Sequence, residues 1–260
     1  MRSLIFALTV LLAVVLAGPS SLAQGTYAIS ILATNAIVGP LTTIVEDHNR
    51  GGGPQIKVEF DTSPSINRRF AAGTISGVHV LVAANGTVDQ AIKDGKAIAD
   101  TRVRVGRVGV GVATRRGGSR PDISSVDALK ASLLKADAIV YSQGASGVYV
   151  VQLLEKLGIA AQVKAKAVQV TTGADMIERV EHSQRNEIGM TQISEITRAA
   201  EETKGAIVYV GPLPAAIQNY TTFDAVVMTG APSADAARAF VKSLTAPAAR
   251  KLLAANAWEF

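Results

Sequence analysis

The chain has 260 residues, 48% of them hydrophobic and 18% charged, with 26 Lys+Arg against 21 Asp+Glu, three His and no Cys. This composition excludes a disordered chain, a disulfide scaffold and thiol chemistry, and the length allows one large domain or two lobes of about 100–130 residues. The formal charge of +5 is spread thinly, no Lys/Arg run exceeds two residues and aromatics make up 5%, so no nucleic-acid partner is expected.

Residues 1–23 read as a secretory signal: Arg2 ahead of an uncharged apolar run from Leu4 to Ala17, then Ser21-Leu22-Ala23 as a small-x-small cleavage site. An apolar core of roughly 14 residues is short of the roughly 20 needed to span a bilayer. The mature chain is then expected to begin near Gln24, with no Cys to carry a lipid, and to diffuse in a periplasm. Little nucleotide is available there, so ATP-driven chemistry is not expected.

From that point short β-branched runs alternate with amphipathic ones. Strands are predicted over 27–32, 56–60 and 78–83, and helices over 37–49, 66–72 and 86–93. A long valine-rich run occupies 102–114. A polar turn segment follows, and Ser124 or Ser125 caps a helix reaching Lys135. The rhythm repeats with strands over 138–141, 165–170, 188–191 and 206–210 and helices over 148–157, 175–182 and 194–200. A strand over 223–228 and helices over 234–244 and 247–256 close the chain. Alternation of this kind predicts α/β blocks with parallel strands and crossover helices. The tail is too small to stand alone and is expected to pack on the first block. The predicted lobes are 24–107 plus 221–260, and 108–220, with the chain crossing between them twice.

Catalytic motifs are scarce. His48, His79 and His182 have no ligand partner at metal spacing, so neither a metal nor another cofactor is expected. Ser132-Leu133-Leu134-Lys135 matches Ser-x-x-Lys inside an amphipathic helix and reads as helix surface. Gly106, Gly109 and Gly111 fall within a strand, where a bulge or close packing explains them better than a phosphate loop.

More is carried by four places where a strand ends, small polar residues follow and a helix begins: Ala33-Thr34-Asn35-Ala36, Asp61-Thr62-Ser63-Pro64-Ser65, Ser142-Gln143-Gly144-Ala145-Ser146-Gly147 and Thr171-Thr172-Gly173-Ala174-Asp175. Such junctions aim unpaired backbone N–H groups and the positive end of a helix dipole at one point. Two lie in each block. If the blocks face each other, all four meet in one cleft at the strand carboxyl ends, suited to a small anion held by neutral donors.

Together with the stretches FDTSPSINRRFAAG (60–73), YSQGASGVYVVQLLEKLG (141–158) and 175–195, these junctions resemble type II periplasmic solute-binding proteins, and within them the molybdate-binding proteins of ABC importers. The resemblance implies a two-lobed α/β fold, each lobe a mostly parallel sheet flanked by helices, closing over an oxyanion and delivering it as a monomer to a membrane permease. Taken with the four junctions, it gives an expected ligand site at Asn35, Ala36, Ser63, Ser65, Ser146, Gly147, Asp175, Met176 and Gln192. Ser63 matches one of the family's serines, and Ser146 and Met176 fall where backbone donors are expected. Three positions depart from the pattern: Ala36 stands where a serine is expected, Gln192 where a tyrosine is, and His79 where an acidic residue is usual.

The run Gly189-Met190-Thr191-Gln192-Ile193-Ser194-Glu195 looks more like a divergent branch of the family that includes exported aconitate isomerases. Two functions follow from these likenesses. One is a receptor that captures a molybdate-like oxyanion or a small organic carboxylate for an ABC importer. The alternative is an isomerase of a small unsaturated tricarboxylic acid, whose base would be sought among Asp61, Asp175, Glu195 and His79.

Overall fold

The computed structural model describes residues 28–260, so the signal-peptide reading of residues 1–23 lies outside the described residues. Each β-branched run forms a strand, and each amphipathic run forms a helix that covers it. The first half runs β1 (Ile29–Thr34), α1 (Val38–Arg50), β2 (Ile56–Asp61), α2 (Ser63–Ala71), β3 (Val80–Ala84) and α3 (Asn85–Lys93). The valine-rich run is β4 (Val103–Arg115). Beyond it come α4 (Val126–Lys135), β5 (Ala138–Ser142), α5 (Ala145–Lys156), α6 (Ala160–Val163), β6 (Ala167–Val170), α7 (Gly173–His182), β7 (Glu187–Gln192), α8 (Ile193–Glu202) and β8 (Ile207–Pro212). The chain closes with β9 (Tyr220–Val227), α9 (Ala234–Ser243) and α10 (Pro247–Ala255).

The strands lie in the order β2-β1-β3-β9-β4-β7-β5-β6, with β8 also paired to β4. β1 is parallel to β2 and β3, and β5 is parallel to β6 and β7, as alternating strands and helices require. The middle differs from the parallel pattern predicted from sequence. β9 runs antiparallel to both β3 and β4, and β4 antiparallel to β7 and β8.

β4 is the bridge between the two strand groups. Its first part, from Val103 to Gly109, pairs with β9, and its second part, from Val110 onward, pairs with β7 and β8. A strand of 13 residues serving two sheets has to bend, and register shifts occur between Arg104 and Gly106 and between Val112 and Ala113. Gly106 adopts φ +156°, and a Cβ there would stand 2.8 Å from the Glu259 carbonyl. Glycine is therefore required for the C-terminal bridge of Arg107 to Glu259. The Arg102 guanidinium secures the start of the strand, donating from Nε at 2.8 Å to the buried Asp224 carboxylate on β9.

Alternate residues of a strand face opposite sides, and here both sides are covered. On one face Ile29, Ile31 and Ala33 pack with Leu41, Phe240, Val241, Leu253 and Trp258, so α1 and the C-terminal helices share a core with β1. On the other face Leu32 and Leu81 meet Ile66, Phe70 and Val88 of α2 and α3. In the second group Val110, Val112, Ile139 and Ile188 pack against Leu129, Leu133, Val150 and Leu153, while Ala113 and Val140 lie beneath Met176, Val180 and Ile196.

Three helices begin earlier than the apolar periodicity indicates: α2 at Ser63, α5 at Ala145 and α7 at Gly173. Small and polar residues occupy their first turns, where capping and a proline near N1 compensate for a weak apolar pattern. The short α6 has no apolar period of its own and escaped sequence reading. Among the described residues no helix is long and apolar enough to cross a membrane.

Candidate functional site

Thr34, Asp61, Ser142, Val170 and Gln192 are the last residues of β1, β2, β5, β6 and β7, and at each the chain turns into a helical segment. The junctions meet around a cavity of about 30 Å³, room for about two or three waters. Thr34, Asn35 and Ala36 line it from the first junction, Thr62 and Ser63 from the second, and Ser142, Gly144, Ala145 and Ser146 from the third. Gly173 comes from the fourth, Gln192 and Glu195 from the β7–α8 turn, and Phe223 from β9.

The backbone hydrogen bonds leave a few N–H groups unspent at these helix starts. In α5 the first helical bond runs from Val148 N to Gly144 O at 3.1 Å, so the N–H groups of Ala145, Ser146 and Gly147 precede it. In α2 Thr62 takes Ser65 N on its hydroxyl at 3.3 Å and Ile66 N on its carbonyl at 2.9 Å, ahead of which stands Ser63 N. In α7 Thr172 takes Asp175 N on its hydroxyl at 3.0 Å and Met176 N on its carbonyl at 3.2 Å, ahead of which stand Gly173 and Ala174. Among the described residues no Lys or Arg lines the cavity. Its positive character comes from helix ends.

Two side chains give the cavity its chemistry. The Thr34 hydroxyl is buried and has no hydrogen-bond partner among the described residues, which leaves it available to a ligand. Glu195, 8% exposed, brings the cavity its one carboxyl group. Thr191 Oγ1 donates to Glu195 Oε2 at 2.6 Å and lies 3.3 Å from Ser146 Oγ, so a chain of three hydroxyl or carboxyl groups joins α8 to the start of α5. Burial raises the carboxyl's affinity for its proton above the usual carboxylate range, outweighing the Thr191 hydrogen bond, the Arg198 charge and the Gln192 N–H that act the other way.

Of the residues singled out from sequence, Asn35, Ala36, Ser63, Ser146 and Gln192 line the cavity. The Gln192 amide is engaged by β4 and β9. In the amide orientation that satisfies both of its ends, Nε2 donates to the carbonyls of Val108 at 3.1 Å and Gly109 at 3.2 Å and the oxygen accepts from Thr221 Oγ1 at 3.0 Å, so it joins β4 to β9.

The side chains of the other four, and the α-carbon of Gly147, do not line it, although the Gly147 N–H is among those left at the start of α5. The Ser65 N–H is held by Thr62. The Gly147 α-carbon is pressed against Ser142, where an added Cβ would fall 1.6 Å from the carbonyl oxygen. The Asp175 carboxylate accepts the Thr172 N–H at 2.8 Å in a capping box. Met176 is fully buried and its N–H is spent on Thr172.

Among the base candidates, Asp61 accepts the Thr62 N–H at 2.7 Å and lies 3.6 Å from Arg69, while His79 faces a separate groove beside Met228. Glu195 alone of the four reaches the cavity. Residues that sequence reading passed over are Thr34, Ser142 and Thr62 within the named junctions, and Phe223 outside them. For Thr34 the available signal was a hydroxyl on the last residue of a strand. For Phe223 no local signal exists.

The family model described as bacterial extracellular solute-binding protein matches residues 29–259. The chain belongs to that family. It is 26% identical over 241 residues to an aconitate isomerase of Pseudomonas sp, a match covering 90% of this chain and 88% of that protein. Among solved structures, the periplasmic molybdate-binding protein of Azotobacter vinelandii superposes with a TM-score of 0.73 at 15% identity, over 89% of this chain and 99% of that one. PEB3 of Campylobacter jejuni with L-phospholactate bound superposes with a TM-score of 0.67 at 13% identity, over 89% and 99%. These structural likenesses establish the fold, that of the two-lobed periplasmic binding proteins.

Proposed function

We propose that the protein is a periplasmic receptor that captures a small anion, a molybdate-like oxyanion or a small organic carboxylate, and passes it to an ABC permease. The observation that carries this reading is the convergence of helix starts from both strand groups, with the buried, unpartnered Thr34 hydroxyl, on one small cavity that no basic side chain enters. Neutral donors of this kind hold an anion without a counter-charge.

In this reading the lobes are residues 24–107 plus 221–260, and 108–220. They close by bending β4 and β9, the strands that Gln192 ties together. The bond from Ser194 Oγ to Ala36 O, 2.8 Å and buried, belongs to the closed form. The protein acts as a monomer exported by its signal segment. A cavity of about 30 Å³ favours an anion of a few heavy atoms over a tricarboxylate. Thermal unfolding in the presence of molybdate, tungstate, sulfate, phosphate and di- and tricarboxylates tests this, and at least one of them raises the melting temperature.

The second reading, an aconitate isomerase, draws on the 26% identity with such an enzyme and on the carboxyl group of Glu195 inside the cavity. An isomerase has to take a proton from carbon and return it elsewhere, and Glu195 is the group in position to do so. A tricarboxylate would extend past Ala145 into the adjoining groove beside Asn67, Asn85 and Asn219. Incubation with cis- or trans-aconitate, followed by NMR, distinguishes the two readings: interconversion favours the enzyme, and binding without it the receptor.

A further inference from the structure

Anion sites built from helix starts seldom need a carboxyl group, yet this cavity holds one. We propose that Glu195 and the bound anion share one proton, so that the protein takes up a proton when it binds a fully ionised ligand. The inference rests on the anion reading above and adds a rule of selection to it: the site admits an anion together with a proton and refuses the anion alone.

The geometry leaves Glu195 little freedom to avoid the ligand. Oε2 is held by Thr191 Oγ1 at 2.6 Å. Oε1 lies so close to Gly173 that a Cβ there would stand 2.4 Å from it, which sets this oxygen against the open start of α7. An ionised carboxylate fixed here would face an anion across a space of a few waters, and like charges that close in a dry site do not both stay ionised.

The surrounding ionisable groups do not neutralise it. The charge of Arg198, one turn further along α8, acts on it, but Arg198 Nη1 is engaged with Glu202 at 2.5 Å. Glu178 and Glu181 of α7 share the outer groove with Glu195, Arg198 and Glu202, so that side is acidic in balance. Asp175 of α7 is engaged with Thr172, and Glu187 at the far end of β7 with Arg179. β8 contributes Tyr209, β4 ends in Arg115, and the turn Asn35–Ile37 has no ionisable side chain. Burial independently favours the protonated acid.

The test is isothermal titration of sulfate, molybdate and trans-aconitate into the full mature chain and its Glu195→Gln variant, from mildly acid to mildly alkaline pH and in buffers of different ionisation enthalpy. Where Glu195 is ionised in the free protein, wild type takes up one proton per anion and its affinity falls by about tenfold per pH unit; at lower pH, where the free protein already holds the proton, both the uptake and the slope vanish. Glu195→Gln, whose amide imitates the neutral acid, binds the same anion with no pH slope and no proton uptake. Wild-type binding with neither proton uptake nor a pH slope up to the alkaline end of the range overturns the proposal and leaves the anion reading standing, as does a slope that persists in the variant. If none of the anions binds either protein at any pH, the anion reading fails and the proposal with it. Should the variant not fold, the proton count of the wild type at the alkaline end of the range decides alone.

Discussion

The Glu195 carboxyl rests against the α-carbon of Gly173: a Cβ at that position would lie 2.4 Å from Oε1 and 2.6 Å from Oε2. The first residue of α7 and the third of α8 thus fit together only because one of them lacks a side chain. Gly173→Ala forces the carboxyl out of place, and its expected cost is about 1–3 kcal/mol in urea unfolding, with at least a tenfold loss of anion affinity. Adding Glu195→Ala to Gly173→Ala restores most of the stability, because the two substitutions act on one contact.

Thr34→Val tests the opposite kind of residue. The Thr34 hydroxyl has no partner among the described residues, so its removal costs the empty protein nothing and relieves a buried polar group. Unfolding of the variant should match or slightly exceed wild type. Anion affinity, read by titration calorimetry, should drop by about tenfold, equivalent to about 1.4 kcal/mol. Lost stability with unchanged affinity would remove Thr34 from the site.

Gln192→Leu separates a ligand contact from a structural one. The amide is committed to Val108, Gly109 and Thr221, where β4 and β9 run side by side between the strand groups. Replacing it leaves the two carbonyls and the threonine hydroxyl without that partner, at a cost of about 1–3 kcal/mol. Chemical denaturation measures it. A variant of wild-type stability would show that the amide serves the ligand instead.

Stability should also depend on pH through Glu195. Because burial raises its proton affinity in the folded state, the folded chain binds that proton more tightly than the unfolded chain. The associated stability is fully present below the ordinary carboxylate range and is lost as pH rises through the elevated value. Glu195→Gln removes this dependence, so the difference in unfolding free energy between variant and wild type should shift in the variant's favour as pH increases. Parallel pH profiles would contradict it.

Much of this was legible in the sequence, because strands buried on both faces carry β-branched runs and each covering helix carries a 3.6-residue period. The four junctions were legible for the same local reason, since Thr, Ser and Gly at strand ends have few other uses than capping and turning. Yet the sequence does not distinguish a cap that faces a cavity from one that faces its own helix. Asp175 and Ser63 look alike as polar residues at helix starts, and only the hydrogen bond from Thr172 N turns the first away from the cavity.

Local chemistry, then, sufficed to determine the α/β fold, the family likeness and the helix starts. Contacts between residues far apart in the chain decided the rest. Glu195 is one carboxylate among 21 acidic side chains until α8 packs beside α7 and takes it out of water. Gln192 looks like a ligand group until β4 and β9 pass beneath it. Phe223 enters the cavity only because β9 returns between β3 and β4. Burial, and with it the identity of the group that must hold a proton or meet a ligand, is a property of the packed chain.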